Sequence, residues 1–392
     1  MRSVTIIMLL LLAMTTSALT QGACHGKDSI QYQALMSLYN ATGGSNWTFP
    51  SWMSGYAWGT TSDYCTWLGV SCYPYTACAV GSLQLNGIGM QGRLPTEMSS
   101  LTSLVRFVVY QNNLLEGRID FALDRMEVLD LSGTHIAGSL NFSSSAGCKL
   151  WDLGLSGSAI GSLDISGCQS LTYMDIGYSA VTELEISGNY SELISLVASS
   201  NNLTDMPVGL CQPQLQLLYL DHNHYTDADM IPCLRRLKNV TRLMIQHNEL
   251  SKLDFSHWEW DHLGYLDVSY NKLSGNTNNW YFPSLTSLLA AGNSFSGYVP
   301  AYISPVITNL YLADNNLSLF QGFESQMLVL DVRGNPITYQ ADPSLVPNWE
   351  ILTRDTDGFI CPTLGLDGTL LTIMVSKSFY EGIDVCMYAG WD

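Results

Sequence analysis

Apolar residues recur along most of this chain in one short pattern, which the stretch from Leu263 to Leu273 shows most fully. The sequence there is LGYLDVSYNKL, so Leu266 and Val268 alternate with polar residues, as the inward-facing residues of a β-strand do. Asn271 follows where the chain turns, and its amide can bond backbone groups that have left the strand. Such a unit cannot bury its apolar face alone, so the pattern predicts stacking on copies of itself.

Twelve copies of the pattern follow one another, which predicts one elongated domain. They begin at Val80, Leu104, Met126, Leu150, Leu171, Leu193, Leu215, Val240, Leu263, Leu285, Ile307 and Met327. The turn position is asparagine in eight copies, namely Asn112, Asn201, Asn223, Asn248, Asn271, Asn293, Asn315 and Asn335. In the other copies it is Ile88, Thr134, Ser158 or Ser179.

The pattern LxxLxLxxNxL resembles that of leucine-rich repeats. This resemblance implies an α/β-type solenoid, a curved right-handed superhelix of about twelve repeats with a parallel β-sheet on its concave face and disulfide-bonded caps at both ends. MQGRLP from Met90 and FSGYVP from Phe295 are similar to the LxGxLP extension of plant repeats.

The segment before the repeats has its own signature. Apolar residues from Ile30 to Tyr39 have helical spacing, and the helix is expected to end at Gly43 and Gly44. The whole segment resembles the N-terminal cap of plant-type and protist extracellular leucine-rich repeat proteins, in which ALxxLY, NW and CxWxGVxC occur in this order. The matching residues are Ala34, Leu35, Leu38, Tyr39, Asn46, Trp47, Cys65, Trp67, Gly69, Val70 and Cys72.

The two ends of the chain differ from the repeats. Arg2 precedes an apolar run from Ile6 to Met14 and then small residues, which predicts a secretory signal peptide cleaved after Ala18 or Gly22. No later segment reaches the roughly 18 uninterrupted apolar residues of a membrane span. The predicted regions are a signal peptide at 1–22, an N-terminal cap at 23–79, the repeat array at 80–340 and a C-terminal cap at 341–392.

Ten cysteines follow the predicted signal peptide, and their even number in an exported chain predicts disulfide bonds. Neighbouring cysteines are expected to pair, and buried free thiols are the alternative. No CxxC motif indicates a zinc site. The predicted pairs are Cys65–Cys72, Cys148–Cys168, Cys211–Cys233, Cys361–Cys386 and, from the two that remain, Cys24–Cys78.

The net charge limits the classes of binding partner, and the predicted glycosylation sites indicate where the protein resides. The formal net charge of -18 argues against nucleic acid and anionic membrane surfaces, and it leaves proteins, neutral glycans and basic partners open. Seven sequons together with a signal peptide favour a secreted glycoprotein. Their asparagines are Asn40, Asn46, Asn141, Asn189, Asn202, Asn239 and Asn316.

The exposed strand and turn positions of five repeats are rich in aromatic and basic residues. Such side chains dominate binding surfaces, and stacking of the repeats would gather them on one concave face. The alternative is that tyrosine simply suits a strand surface. The candidate ligand-binding residues are Tyr173, Tyr178, Tyr219, His222, Arg242, His247, Tyr265, Tyr270 and Tyr311.

Acidic residues and histidines in the same repeats indicate a function less specifically. A column of aspartates between the strand leucines is expected to be solvated, with calcium or a basic partner as the alternative; its members are Asp130, Asp175, Asp267 and Asp331. The stretch DHNHYTDAD lacks the glycine and the glutamate of a calcium loop, and its alternating side chains are expected to face different surroundings, so we predict no metal site.

No sequence motif of catalysis or of cofactor binding is present, and we expect neither enzymatic activity nor a cofactor. The chain resembles polygalacturonase-inhibiting proteins and the ectodomains of plant receptor-like proteins. This resemblance implies a secreted or cell-surface recognition or adhesion protein that binds a protein or glycan ligand through its concave face. A self-associating coat or matrix glycoprotein, or a receptor ectodomain without its membrane segment, are the alternatives.

Overall fold

The structure is a computed structural model, and it describes residues 29–336 and the backbone of the strands at 359–364 and 370–375. Within the first range, residues 52, 54, 74–78, 143–146, 207, 254, 256–259, 301 and 321–328 are outside the description. The predicted signal peptide and most of the predicted C-terminal cap therefore lie outside the described residues.

The N-terminal cap begins with helix α1 (Ile30–Ala41), where the Ser29 hydroxyl accepts a hydrogen bond from the Tyr32 N–H. The helix was predicted, but its first apolar position was wrong. Ile30 is 68% exposed, and Tyr32 is buried in its place together with Leu35 and Leu38. The spacing alone did not reveal this, because either residue continues the apolar stripe of the helix.

Buried tryptophans hold the cap to the first repeat. The ring centroids of Trp47 and Trp58 lie 5.0 Å apart, and those of Trp58 and Trp67 lie 5.2 Å apart. Strand β1 (Val70–Cys72) then pairs antiparallel with the first repeat strand. The cap thereby covers the edge of the sheet, where unpaired backbone groups would otherwise be exposed.

Each of the twelve predicted repeats supplies one strand to a parallel sheet, which confirms the solenoid fold. The strands are numbered in chain order along the molecule. Those of the repeats are β2 (Val80–Gln84), β4 (Arg106–Val108), β6 (Val128–Asp130), β8 (Asp152–Gly154), β10 (Tyr173–Asp175), β12 (Ser195–Val197), β13 (Leu217–Tyr219), β14 (Arg242–Met244), β15 (Tyr265–Asp267), β17 (Ser287–Leu289), β19 (Asn309–Tyr311) and β21 (Val329–Asp331).

The strands stack in strict register, so equivalent residues of successive repeats form columns. Leu218 of β13 lies beside Leu243 of β14, and Leu243 lies beside Leu266 of β15. These central residues point inward and have no solvent exposure. The first and third residues of each strand therefore face the opposite, concave side of the sheet.

Two smaller parallel sheets run along the side of the solenoid, and the sequence pattern had not predicted them. One contains β3 (Gln91–Arg93), β5 (Leu114–Gly117), β7 (His135–Asn141), β9 (Ala159–Asp164) and β11 (Glu183–Glu185). The other contains β16 (Ser274–Asn276), β18 (Ser294–Val299) and β20 (Asn316–Phe320). The segments MQGRLP and FSGYVP supply β3 and β18, so the plant-type extension was their signal in the sequence.

The glycine of the first extension has a clear structural reason. Gly92 has a φ of 101°, and a Cβ atom there would lie 2.5 Å from the carbonyl oxygen of Ala41. Only glycine allows β3 to approach the end of α1 so closely.

Buried asparagines connect the turns of neighbouring repeats, as predicted. The Asn271 Oδ1 accepts a hydrogen bond from the Leu250 N–H of the preceding repeat at 3.1 Å. Its Nδ2 donates to the carbonyls of Ile245 at 3.0 Å and Val268 at 3.1 Å. Where Thr134 occupies the same position, its hydroxyl donates to the Leu131 carbonyl at 2.7 Å. The other ladder asparagines likewise donate from Nδ2 to a carbonyl of the preceding repeat; they are Asn112, Asn201, Asn223, Asn248, Asn293, Asn315 and Asn335.

Three of the predicted disulfides are present. Cys65 and Cys72 are joined in the cap, with Cα atoms 5.5 Å apart. Cys148–Cys168 and Cys211–Cys233 join neighbouring repeats, with Cα distances of 4.9 and 5.1 Å. The second of these pairs includes a residue of helix α2 (Asp227–Leu234). The pairs Cys24–Cys78 and Cys361–Cys386 involve residues outside the described ones and stay predictions.

Two further strands extend the sheet at its far end. Strand β23 (Leu370–Val375) pairs parallel with β21 and antiparallel with β22 (Phe359–Leu364). This pairing covers the last repeat strand, which is the role that the sequence assigned to the region 341–392. The boundaries of the four predicted regions remain predictions.

Replacing Asn271 with alanine is expected to lower the free energy of unfolding by about 1–3 kcal/mol, because the buried Leu250 N–H loses its acceptor. Denaturant titration followed by circular dichroism measures this change. The control is Lys272→Ala at the exposed neighbouring residue, where the loss is expected to stay below about 0.5 kcal/mol. Equal losses in the two variants would contradict the role given to the asparagine.

Candidate functional site

The concave face is densest in aromatic and charged side chains at three successive repeats, those of β13, β14 and β15. We name the side chains that these repeats present on the concave face the central patch. Strand register places the first and third residues of the three strands side by side. The central patch consists of Tyr219, Asp221, His222, Arg242, Met244, Gln246, His247, Tyr265, Asp267, Ser269 and Tyr270.

Three rings stack along one edge of the central patch. The ring centroids of His222 and His247 lie 4.2 Å apart with an interplanar angle of 25°, and those of His247 and Tyr270 lie 4.5 Å apart with an angle of 16°. Burial lowers the pKa of His247, and the adjacent His222 lowers it further. A neutral His247 can therefore lie between two rings without repelling a charged neighbour.

Each stacked residue stands directly before a ladder asparagine and has a left-handed backbone. His222, His247 and Tyr270 all have a φ of 54°. The equivalent residue has a positive φ in all twelve repeats, and in five of them it is glycine: Gly87, Gly133, Gly157, Gly292 and Gly334. Gln111, Tyr178, Ser200 and Asp314 complete the set. Non-glycine residues adopt this conformation at a steric cost, so the position of each ring is fixed by the turn that the asparagine closes.

The stack ends at a glycine. A Cβ atom at Gly292 would lie 2.6 Å from Cδ1 of Tyr270, so the ring of Tyr270 lies over the bare backbone of the next repeat. Tyr270 itself is 54% exposed. The tyrosine ring therefore lies between the imidazole of His247 and the backbone of Gly292, and its edge and hydroxyl remain open to a ligand.

A cation–π pair lies on the strands beside the stack. The guanidinium carbon of Arg242 is 4.6 Å from the ring centroid of Tyr265. Burial raises the pKa of the Tyr265 hydroxyl, the charge of Asp267 raises it further, and Arg242 lowers it. Tyr219, Tyr265 and Tyr311 were predicted at exposed strand positions, and in the structure each of them is half-buried. For Tyr265, the guanidinium of Arg242 on the adjacent strand covers one face of the ring.

The aspartates on this face are more buried than the sequence predicted. Asp267 is only 7% exposed and Asp221 only 5%, whereas Asp267 was expected to be solvated. The Asp267 Oδ1 accepts a hydrogen bond from the Ser269 N–H at 3.0 Å, which folds the carboxylate back against the turn. Of the other predicted members of this column, Asp331 is buried and Asp130 and Asp175 are half-buried.

Burial has an electrostatic consequence for Asp267. Desolvation raises the pKa of its carboxyl, and the nearby charge of Asp221 raises it further, against the hydrogen bonds from Ser269. The Asp221 Oδ2 lies 3.0 Å from the His222 Nδ1, and its Oδ1 accepts a hydrogen bond from the Ser199 hydroxyl. The central patch thus contains two buried carboxylates close enough to interact, one of them with a raised pKa.

An amide lies between these carboxylates along the solenoid. Gln246 belongs to the repeat between those of Asp221 and Asp267, and its own carbonyl accepts a hydrogen bond from the His222 N–H. Gln246 is 9% exposed, and its side-chain Oε1 is buried without a hydrogen-bond partner among the described residues. An unpaired buried acceptor costs stability, so this atom marks a place where a donor from outside would be favourable.

The structure brings six of the nine predicted residues together and separates the others. Tyr219, His222, Arg242, His247, Tyr265 and Tyr270 belong to the central patch. Tyr173 and Tyr178 are separated from it by the repeat that carries Ser195 and Ser200, and Tyr311 is separated by β17. Sequence reasoning missed Asp221 and Gln246. Their signal was a large polar residue two positions before the ladder asparagine, where seven of the other ten repeats have a small residue such as Ser269.

The described residues contain no group of three or more His, Cys, Asp or Glu side chains placed to hold a metal ion. His222 and His224 are exposed on either side of the buried Asn223, as their alternation predicted.

Within the part of the chain that the structure describes, no helix is long and apolar enough to cross a membrane.

Comparison with known proteins agrees with the architecture. Residues 28–73 match the leucine rich repeat N-terminal domain, which is the segment that forms the cap. The repeats that follow stack as a parallel solenoid. The chain has the leucine-rich repeat fold, and its cap matches the N-terminal domain of such proteins. Among curated relatives, lumican from Oryctolagus cuniculus is 28% identical over 196 residues, which cover 45% of this chain and 98% of the relative.

Solved leucine-rich repeat structures show the same fold. The PEPR1-AtPEP1 crystal structure aligns with a TM-score of 0.58 and 21% identity over 78% of this chain. The Arabidopsis receptor kinase HAESA, in complex with the peptide hormone IDA and the co-receptor SERK1, aligns with a TM-score of 0.55 and 22% identity over 79%. These alignments span 45% and 57% of the two known chains, and at such identities the likeness concerns the fold alone.

The left-handed column predicts opposite effects at two exposed tyrosines of one repeat. At Tyr178, where φ is 51°, glycine is expected to give a more stable protein than alanine by about 1 kcal/mol, because alanine has a steric cost there. At Tyr173 in strand β10 the order is expected to reverse, by about 0.5–1 kcal/mol. Thermal unfolding of the four variants measures both differences, and the same order at both sites would contradict the prediction.

Replacing Asp267 with asparagine is expected to stabilise the protein at neutral pH. The folded pKa of Asp267 lies above its ordinary value of 3.8, so the wild type loses stability as the pH rises through the interval between the two values. The gain from Asp267→Asn should accordingly be present at pH 7 and absent at pH 3, as measured by denaturant unfolding. Asp261→Asn at an exposed site is the control, and a gain at pH 3 would disprove the electrostatic origin.

Proposed function

We propose that this chain is a secreted or cell-surface recognition protein that binds a peptide or protein segment across the central patch of its concave face. The observation that carries the proposal is the stack of His222, His247 and Tyr270, three ring side chains held on successive left-handed turns. Large rings fixed in place and open to solvent on one side are typical of binding hot spots.

The left-handed conformation supports a role in binding over a role in stability. Each non-glycine residue there costs about 1 kcal/mol or more, whereas five other repeats use glycine at the same position. Stacking recovers part of that cost, but rings that remain exposed to solvent add little to the stability of the solenoid. The rings instead offer a ligand a preorganised surface whose side chains lose little entropy on binding.

The charges of the central patch favour a peptide or protein over a neutral glycan. Arg242 lies over Tyr265, and Asp221 and Asp267 are buried nearby, so cationic and anionic groups occur within three repeats. A neutral sugar can stack on the rings, but it offers no charge that complements the carboxylates. The HAESA structure supports the proposal by analogy of fold, because that receptor is seen in complex with a peptide hormone.

Export from the cell is part of the proposal. All seven sequon asparagines are exposed, including Asn202 and Asn316, which directly follow ladder asparagines and stand beside the strand face. The three disulfides suit an oxidising compartment. Glycans at Asn202 and Asn316 would restrict access from that side and leave the centre of the concave face open.

Selection of a random twelve-residue peptide library against the immobilised full chain is expected to enrich peptides that bind at the central patch. Tyr270→Ala and His247→Ala should each weaken the selected peptides at least about tenfold, because removal of one hot-spot ring costs roughly 1.4 kcal/mol or more. Isothermal titration calorimetry of the synthetic peptides measures the dissociation constants. Tyr281→Ala is the matched control, since Tyr281 is exposed and lies outside the concave strands.

Two results would contradict this proposal. Peptides that lose affinity with Tyr281→Ala but keep it with Tyr270→Ala would place binding elsewhere on the molecule. Failure to enrich any peptide, together with concentration-dependent self-association in sedimentation that Tyr270→Ala leaves unchanged, would favour a self-associating matrix protein.

A further inference from the structure

We propose that Asp221, Gln246 and Asp267 form a subsite in the central patch that binds the guanidinium group of an arginine side chain of the ligand. The inference rests on the proposed function and names the chemistry that the peptide must bring. It is carried by three observations: two buried carboxylates, an unpaired buried acceptor between them, and an arginine that already occupies the equivalent place three repeats further on.

Among the residues that the structure describes, neither of the two buried carboxylates forms an ion pair with a lysine or an arginine. Asp267 accepts its hydrogen bonds from Ser269, and none of the ion pairs between described residues involves it. Among the described residues, the hydrogen-bond partners of the Asp221 carboxylate are the imidazole of His222 and the hydroxyl of Ser199. Two interacting carboxylates with so little exposure repel each other, and a bound cation would remove that repulsion.

Gln246 supplies a further hydrogen-bond acceptor to the proposed subsite. Its Oε1 is buried and has no hydrogen-bond donor among the described residues, and its repeat lies between those of the two aspartates. A guanidinium carries five N–H donors in a planar fork and no acceptor. It can therefore satisfy an amide oxygen and a carboxylate at once, which a group with a single donor cannot do.

The same fold shows a guanidinium on this column of aspartates. Asp331 occupies the third position of β21, as Asp267 does in β15, and it is 4% exposed. There the Arg333 Nε lies 2.9 Å from Oδ1 of Asp331 and its Nη2 lies 2.8 Å from Oδ2. Where Asp331 is followed two residues later by arginine, Asp267 is followed by Ser269, so Asp267 lacks the guanidinium that neutralises its counterpart.

The surroundings suit an organic cation. Tyr270 belongs to the same repeat as Asp267 and is 54% exposed, so the edge of its ring can pack against the aliphatic part of an arginine side chain. The net charge of -18 attracts a basic segment from a distance. The two carboxylates and the amide lie on three successive repeats, and the described residues hold no cluster of metal-binding side chains, so a side-chain cation fits better than a metal ion.

The test uses an arginine-containing peptide from the library selection and its citrulline counterpart, which has the same shape and no charge. Against the wild type, citrulline is expected to raise the dissociation constant at least tenfold. Against Asp267→Asn and Asp221→Asn, the two peptides are expected to differ less than threefold. Asp331→Asn is the matched control, because Asp331 already has Arg333, and it should keep the wild-type difference.

Gln246→Met distinguishes binding from a structural role. Methionine has a similar shape without the buried oxygen, so this variant should unfold at a higher denaturant concentration and yet bind the arginine peptide several-fold more weakly. Loss of stability together with loss of binding would overturn the assigned role of Gln246. Calorimetry at one temperature, with circular dichroism to check that each variant is folded, gives both readings.

The remaining outcomes separate this inference from the proposed function. Peptides that bind the central patch but are enriched without arginine would overturn the arginine subsite and leave the proposed function standing. So would a citrulline effect that is equal in the wild type and in Asp267→Asn. If the library yields no peptide that depends on Tyr270 or His247, both proposals fail.

Discussion

The structure depends on the hydrogen bonds that each ladder asparagine makes to two successive turns. The strand leucines create an apolar face, but burial has no direction and would tolerate a slip of one repeat against the next. The amide of Asn271 has one acceptor and two donors whose partners, the Leu250 N–H and the carbonyls of Ile245 and Val268, exist together only at one register. The turn places the preceding residue in the left-handed region in all twelve repeats, including the four in which the next residue is not asparagine. The turn that stabilises the solenoid therefore also fixes the column of rings on its concave face.

The periodicity of the sequence predicted the features that every repeat shares. It did not predict features that depend on side chains from neighbouring repeats. Leu266 and Asn271 could be assigned from the sequence because every copy imposes the same surroundings on them. The side sheets were not predicted, because strands such as β3 are three residues long, include glycine and show no readable alternation. Asp267 was expected to be solvated, since a period of two tells which face a residue is on and not what covers it. Its burial comes from the turn at Ser269 and from larger side chains on β14, which are non-local in the sequence.

The central patch combines features that reduce stability with features that suit recognition. Left-handed rings, two interacting carboxylates and an unpaired amide oxygen each oppose folding, and they occur within three repeats. The rest of the array can compensate, because the stability of a solenoid is approximately the sum over repeats and their interfaces. Strained and unpaired groups clustered in this way are the usual sign of a site whose free energy is lowered by a partner.

The two side sheets also affect how easily the curvature of the solenoid can change. The five-stranded sheet ends with β11, and the three-stranded one begins with β16, so the described residues between them lack lateral strand pairing. The interval includes the repeats of β13 and β14, which are joined to the rest by the main sheet and by the Cys211–Cys233 bond. Side sheets therefore connect neighbouring repeats in the early and late parts of the array, and the described residues between these parts have no such sheet. We expect a ligand that contacts several repeats at once to change the curvature most easily in this interval, which includes the repeats of His222 and His247.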